Sequence, residues 1–365
     1  MSKKIINHEN PNIHSYLEDG NYYYVYIDAE NEFPSLQQKV KPYLEKSDNQ
    51  KSLKLLLDFS MESWSNSVNI IYENVIIPLN IDPASVVLLS GNRDIKKLVN
   101  FYCDTNNKKP IIGIWYPKCQ FTVAEVCKAY YHNAPLKLYL KNKKIKKIKK
   151  HFLSFNRRWR PHRSALIGLL HSKNLLNQGY VSFTETDEQM NWIKAYDEIF
   201  SLSKTSIVMH DLWKNNEQRI KSLPNLIIDQ PLLGKNPFDL DIKNTNKFYE
   251  ETMFSVVTET NFYKHIESAV FPTEKIFKPM AFNHPFIVVS RPHTLDCLRE
   301  LGYKTFHPYI NEDYDLEADD NTRLLKIIDE IERLCNLNEE EILTFLDAVK
   351  SITMYNFKTL ISKVK

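Results

Sequence analysis

The strongest constraint on this chain is a rhythm: short runs of apolar residues, each followed by a longer stretch with helical spacing. In the first part the runs are "YYYVYID" (22–28), "LKLLLDF" (53–59), "SVVLLSG" (85–91) and "PIIGIWYP" (110–117). They are continuous rather than alternating, which suits strands covered on both faces. Between them lie helical patterns such as "DIKKLVNFYCD" (94–104), where Asp94 is expected to cap the N-terminus, and a further helix is expected over 121–132.

The second part has the same style. Strands are expected at "HFLSFN" (151–156), "YVSF" (180–183), "NLIID" (225–229), "MFSVVTE" (253–259) and "PFIVVS" (285–290), with "KTF" (304–306) as one more short strand. Helices are expected over 162–175, 187–201, 273–282, 292–301, 319–336 and 338–362, the last capped by Asn338 with acidic residues in its first turn. This order predicts an α/β protein with two Rossmann-like, doubly wound domains facing a cleft. The break falls at "HNAPLK" and the charged run "KNKKIKKIKK". It gives an N-terminal domain over 1–145, a second domain over 146–340 and a terminal helix over 341–365.

Composition narrows the chemistry. With 43% hydrophobic residues in 365, sizeable cores can be buried and global disorder is excluded. The net charge of +3 does not by itself point to nucleic acid, and seven glycines without GxGxxG or GxxxxGK[ST] exclude a glycine-rich phosphate loop. Five scattered cysteines, Cys103, Cys119, Cys127, Cys297 and Cys335, show no zinc spacing or disulfide framework, and Cys127 and His132 belong to no catalytic pattern. A reducing, cytoplasmic setting is expected. No run of about 18 apolar residues occurs, so no membrane span is expected.

Two segments concentrate polar chemistry. "HFLSFNRRWRPHRSALIGLL" reads strand, turn, helix: Asn156, Arg157, Arg158 and Arg160 occupy the turn, Pro161 suits the first helical position, and Arg163 follows. Ligands of open parallel sheets bind beyond the C-terminal strand ends, where forked guanidinium donors and a helix N-terminus form an anion site. A solvated basic surface and a nucleic-acid backbone site beside Trp159 are the other readings of this turn. The second segment is "MFSVVTETNFYKHIESAVFPTEKIFKPMAFNHPFIVVS". Its strand ends in Glu259, Thr273 is expected to cap a helix opening with Glu274 and Lys275, and Lys278 stands at i+4 from Glu274, where a surface ion pair is the simple expectation.

Strand, Glu, loop, "TEK", helix and then "HPFIVV" resembles the donor half of nucleotide-sugar glycosyltransferases of the two-Rossmann, GT-B kind. It is most similar to the α1,3-fucosyltransferase and exostosin-like families. The likeness covers roughly 150–305, with "SFNRR" resembling their phosphate-binding turn. It implies Glu274 near the donor ribose or sugar, and Lys275 with one arginine of the turn near the diphosphate. It also implies a terminal helix that crosses back to the first domain. Thr260 stands where the family has Asn after the Glu, and "RPHTLDCLRELGYKTF" departs from the family pattern, which leaves the sugar open.

Transfer from a nucleoside diphosphate sugar needs positive charge on the leaving diphosphate and a base for the acceptor hydroxyl. Cations are abundant, so no metal or other cofactor is required. The pair Asp239 and Asp241 in "FDLDI" follows no apolar run, and Asp313 and Asp315 read as a solvated loop. Base candidates are Asp58, ending a strand, and Glu62 in the loop beyond it, with Asp28 and Glu30 as second choices; a capping role for Asp58 or Ser60 is the competing reading. "SGNRD" (90–94) is expected to line the acceptor side. The expected partners are a nucleotide-sugar donor and a glycan, protein or hydroxylated DNA base as acceptor. A non-catalytic nucleotide- or nucleic-acid-binding module is the alternative.

Overall fold

The computed structural model describes residues 22–27, 35–45, 54–63, 67–132, 148–156, 160–183, 242–264 and 269–364. The expected strand at 225–229 and helix at 187–201 lie outside them, as do Asp28, Glu30, Arg157, Arg158, Trp159, Asp239, Asp241 and the expected junction near 145. The chain forms two compact units. One comprises Met1–Thr122 with His265–Pro272 and Ser362–Lys365; the other comprises Val123–Lys264 with Thr273–Ile361.

The first unit is built on a four-stranded parallel sheet, β1 (Tyr22–Tyr26), β2 (Lys54–Phe59), β3 (Val86–Ser90) and β4 (Ile112–Trp115), in that spatial order. The apolar runs are strands for the physical reason anticipated. All of β3 and all of β2 after Lys54 are buried, whereas the edge strand β4 is only partly covered. Helices α1 (Leu36–Leu44), α2 (Ser67–Ile71, continued by a π-turn over Tyr72–Ile76) and α3 (Ile95–Asn106) supply the crossovers, and α4 (Lys118–His132) follows β4. The division between units falls inside α4. Leu36, Val40, Ile71, Val75, Ile95 and Val99 pack with the strand residues in one core.

Asp94 does not cap α3 through its side chain. Its own N–H donates to Asn92 Oδ1 at 2.8 Å and its carboxylate pairs with Lys97 at 2.8 Å. Asn92, buried at the end of β3, also donates to the Ser63 carbonyl at 3.1 Å. The polar residue that organises this turn is therefore two positions earlier than the sequence suggests.

The second unit has a parallel sheet in the order β6-β5-β7-β8, with β5 (Lys150–Asn156), β6 (Gly179–Phe183), β7 (Thr252–Thr258) and β8 (Phe286–Val289). Around it stand α5 (Pro161–Ser172), α6 (Ile242–Glu250), α7 (Glu274–Ala281), α8 (Thr294–Glu300), α9 (Asp320–Cys335) and α10 (Glu339–Ile361). Every residue of β7 and β8 is buried. The helix α10 packs on α7 within this unit. Its start is the expected cap: Asn338 Oδ1 accepts from the Glu340 and Glu341 N–H groups at 3.0 Å each, and Glu341 accepts from the Asn338 N–H at 2.9 Å.

Residues 304–306 are not a strand. Asn356 of α10 binds the Lys304 N–H and carbonyl, both at 2.8 Å, and Glu312 accepts from the N–H groups of Phe306 and His307. Side chains have taken the backbone groups that a strand neighbour would use. Beside them, the Val288 N–H of β8 donates to the Tyr314 hydroxyl at 3.3 Å.

Candidate functional site

The strand order of the second sheet reverses between β5 and β7. The chain steps outward from β5 to β6, then returns to place β7 on the other side of β5 and continues to β8. Such a switch point is where open parallel sheets bind ligands, because the connections leaving the two central strands diverge to opposite faces and leave a crevice. Among the described strands of the first sheet the order runs one way, without a reversal.

The two polar segments end on this point. Asn156 closes β5 and Thr258 closes β7; the Thr258 hydroxyl donates to Asn156 Oδ1, and Asn156 Nδ2 donates to Ser154 Oγ at 2.7 Å. Arg163 is buried in the first turn of α5 and sends a guanidinium N–H to the Thr258 carbonyl at 3.2 Å. Asn156 and Arg163 thus join the strand ends from beneath. Arg160, at the N-cap of α5, is only half-buried.

Glu259 follows β7 and is wholly buried. Its carbonyl accepts from His162 Nε2 of α5 at 3.1 Å. Its carboxylate accepts the Thr273 N–H at 3.0 Å and the Thr273 hydroxyl at 2.5 Å. Thr273 in turn caps α7, accepting the Lys275 N–H at 3.4 Å. One residue therefore holds the N-termini of α5 and α7 on either side of the switch point. Burial, with the nearby Glu274 charge, raises the Glu259 pKa above its ordinary value against the pull of Lys275 and the Thr273 donors.

Lys275 and Glu274 form the accessible edge. The Lys275 ammonium contacts Glu274 at 2.9 Å, Thr273 Oγ1 at 3.0 Å and Thr260 Oγ1 at 3.4 Å. Burial works to raise Glu274, but the adjacent Lys275 and the charge of Lys278 hold it below the usual carboxylate range. Glu274 is paired with its neighbour Lys275 at 2.9 Å, and Lys278, one turn on, adds its charge. Two carboxyl groups shifted in opposite directions, Glu259 upward and Glu274 downward, lie at the same helix start.

Near the start of α5, His162 Nδ1 and Ser164 Oγ are buried without a hydrogen-bond partner among the described residues. The His162 imidazole lies parallel to Phe262, centroids 5.2 Å apart. Burial, then the charges of Arg163 and Arg160, push its pKa well down, so the ring is neutral, with Nε2–H donated and Nδ1 carrying the lone pair.

In the first unit, Asp58 is enclosed at the end of β2. Lys118 Nζ donates to it at 2.8 Å, the Ser60 N–H at 2.9 Å, and the hydroxyls of Ser60 and Tyr24 complete the set. Burial would raise its pKa, but Lys118 and these donors outweigh burial and hold it low. A carboxylate with four donors and a lowered pKa is a structural anchor and a weak base. Glu62 stands differently: half-buried, it has its backbone fixed from both sides, its N–H on the Phe59 carbonyl and its carbonyl on the Gly91 N–H, both at 3.0 Å.

Lys118, Arg323 and Asp315 were not anticipated. Lys118 follows "WYP" at a strand end, the position that flags polar residues in a parallel sheet. Arg323 interrupts the apolar stripe of α9, four and eight residues before Ile327 and Ile331. It is fully buried and donates to the carbonyls of Ser290 (2.9 Å), Glu317 (3.0 Å) and Phe262 (2.6 Å) and to Asp320 (2.6 Å). Asp315 is a correction: it is buried, and its carboxylate accepts the Thr294 N–H at 3.0 Å and the Leu295 N–H at 3.1 Å at the start of α8. The N-cap residue of α8, His293, makes no side-chain bond to those donors, so a loop 20 residues downstream satisfies them.

Among the described residues no group of three or more His, Cys, Asp or Glu is gathered as a metal site, and no helix is long and apolar enough to cross a membrane.

The fold defines an α/β chain with two parallel-sheet units, one of which carries a switch-point site flanked by two helix starts. No protein-family model matches the sequence, and no curated protein matches it. Among solved structures, an α,α-trehalose-phosphate synthase (UDP-forming) from Burkholderia vietnamiensis is similar at 11% identity and a TM-score of 0.47, over 93% of this chain and 70% of that one. An α,α-trehalose 6-phosphate synthase from Burkholderia multivorans is similar at 10% identity and a TM-score of 0.45, over 94% of this chain and 67% of that one.

Proposed function

We propose that the second unit binds a nucleoside diphosphate sugar at the β5/β7 switch point and that the chain is a glycosyltransferase of the GT-B kind. The observation that carries this is the latching of two helix starts, α5 and α7, to Glu259 at the strand reversal. A diphosphate is the ligand that two helix N-termini with Lys275 and Arg160 suit: helix starts offer N–H groups and the side chains supply charge. Arg157 and Arg158 lie in the same turn of the sequence. Glu274, held ionised, is an acceptor for ribose or sugar hydroxyls.

In the proposed reaction the bond from the sugar's anomeric carbon to the diphosphate breaks, and the diphosphate leaves with its electron pair. A bond from that carbon to the acceptor oxygen forms, and the acceptor proton passes to a carboxylate. Lys275 and the arginines stabilise the leaving charge without calling on a metal. We assign the base to Glu62, half-buried past the end of β2, and an anchoring role to Asp58, whose pKa Lys118 and the other donors hold low. The acceptor is a hydroxyl on a glycan, a protein or a modified DNA base; only the last predicts duplex binding that weakens steeply with salt.

Thermal shift with UDP, GDP, CDP and ADP tests the donor site. One of them is expected to raise Tm, with Lys275→Met and Arg158→Ala reducing the shift. Absence of any shift across the four sinks the proposal. Glu62→Gln is expected to abolish turnover of the matching nucleotide sugar while leaving the shift in place.

A further inference from the structure

The last residues before the TEK motif do not belong to the unit that carries it. Ala269–Pro272 lies within a segment that groups with the first unit, while the chain resumes in the second unit at Thr273. Phe271 is 7% exposed, and its ring edge occupies the place that a β-carbon on Gly91 would take. The same absent β-carbon would lie 2.8 Å from the carbonyl oxygens of both Ser60 and Glu62. A β-carbon at position 91 would have to displace the Phe271 ring or these carbonyls.

These neighbours bear on one turn. The Glu62 N–H is bonded to Phe59 and its carbonyl to the Gly91 N–H, and Asn92 Nδ2 holds the next carbonyl, that of Ser63, at 3.1 Å. Ser60 is fixed to Asp58, itself fixed by Lys118. The backbone of residues 59–63 is therefore pinned to the ends of β2 and β3, and the Phe271 ring fills the space beside Gly91, whose N–H holds the Glu62 carbonyl.

We infer that Phe271 is a positioning residue for Glu62, holding the Phe59–Glu62 turn against Gly91. The inference rests on the reading of Glu62 as the base. It adds that the aromatic side chain two positions before Thr273 governs the orientation of that base, so a single stretch of chain, 271–275, carries both a base-positioning ring and the donor-binding Glu274 and Lys275.

The test compares Phe271→Ala with Phe271→Tyr, which keeps the ring, in the full chain. Hydrolysis of UDP-glucose, GDP-mannose and GDP-fucose identifies the working donor, and kcat and KM are then measured on it. For Phe271→Ala we expect kcat to fall roughly 10- to 100-fold, as displacements of about an ångström do. KM and the nucleoside diphosphate thermal shift are expected to stay at wild-type values, and Phe271→Tyr to restore most of kcat. Amide exchange at Gly91, which reports its bond to the Glu62 carbonyl, is expected to accelerate roughly tenfold or more in Phe271→Ala alone. Wild-type kcat in Phe271→Ala, or unchanged Gly91 protection, overturns the inference. If Phe271→Ala does not fold, Gly91→Ala decides: its methyl displaces the ring or the two carbonyls, and an unaltered kcat overturns the inference equally. A wild-type chain that neither shifts with a nucleoside diphosphate nor hydrolyses any of the three sugars refutes the glycosyltransferase reading instead. The Gly91 exchange rate in Phe271→Ala then still shows whether the ring holds the Phe59–Glu62 turn, independently of turnover.

Discussion

Glu259 takes both donors of Thr273, the backbone N–H on Oε1 at 3.0 Å and the hydroxyl on Oε2 at 2.5 Å. The pair is 14 residues apart in sequence and welds the end of β7 to the start of α7. Thr273 is the hinge of the arrangement, since its oxygen also receives the Lys275 N–H and ammonium. Thr273→Ala is therefore expected to lose a helix cap, about 1 kcal/mol, and to leave Glu259 short of a donor, about 1–3 kcal/mol more. Thr273→Ser keeps both roles and is expected to behave like wild type. Urea denaturation of the two variants is the measurement; equal loss in Ala and Ser contradicts the hydrogen-bond account.

Lys118 and Asp58 form an enclosed ion pair at 2.8 Å. Lys118→Met leaves a buried carboxylate without its cation and is expected to cost about 3–5 kcal/mol at neutral pH. The pH dependence has a definite sign. Asp58 is held below its ordinary value of 3.8, so its contribution is present above that value and is lost as pH falls through the lowered folded value. Asp58→Asn is expected to flatten the part of the acid unfolding curve that lies below about pH 4. A curve unchanged by that substitution rejects the assignment.

Asp315 titrates in the opposite sense. Burial raises it to about 6, against the pull of the backbone donors it accepts. A carboxyl raised on folding contributes fully below its ordinary value and loses that contribution as pH rises through the folded value. Asp315 thus lowers stability progressively between about pH 4 and about 6. Asp315→Asn keeps an acceptor for the α8 N–H groups and removes the titration. The Tm difference between variant and wild type is expected to move in favour of the variant across that window; a constant difference argues against it.

Arg323 joins three carbonyls and Asp320 inside the second unit while its guanidinium stacks over Phe262, 4.4 Å from the ring centroid. Arg323→Met is expected to cost about 3–5 kcal/mol, because it strands a buried carboxylate and several carbonyls. Arg323→Lys is expected to rescue little, since one ammonium cannot span donors set by a planar fork. Thermal denaturation of both variants checks this; a lysine variant with wild-type Tm overturns the fork argument.

Much of the fold is legible in the sequence because it is local. Runs such as "VVLL" and "FIVV" are strands wherever they pack, and Asn338 with Glu341 makes its cap within one turn. Asn156 at the end of β5 and Glu259 just past β7 are legible for the same reason. The failures have a common cause. "KTF" has strand composition, but whether it is a strand depends on a neighbour, and Asn356, some 50 residues away, occupies its backbone groups. Asp315 sits in an acidic, loop-like stretch, and only packing against α8 takes it out of water.

The base candidates show the same limit. Asp58 and Glu62 are two carboxylates at one strand end, and nothing local ranks them. The eight strands among the described residues, and which residues stand at their ends, followed from the amino-acid sequence alone, because burial of an apolar run is a short-range effect. Only the tertiary structure decided that β5 and β7 are neighbours at a reversal, that Lys118 pairs with Asp58, and that Glu259 latches two helices. Each of those depends on which buried polar group finds which partner across long stretches of chain, and a buried group's chemistry is set by that partner.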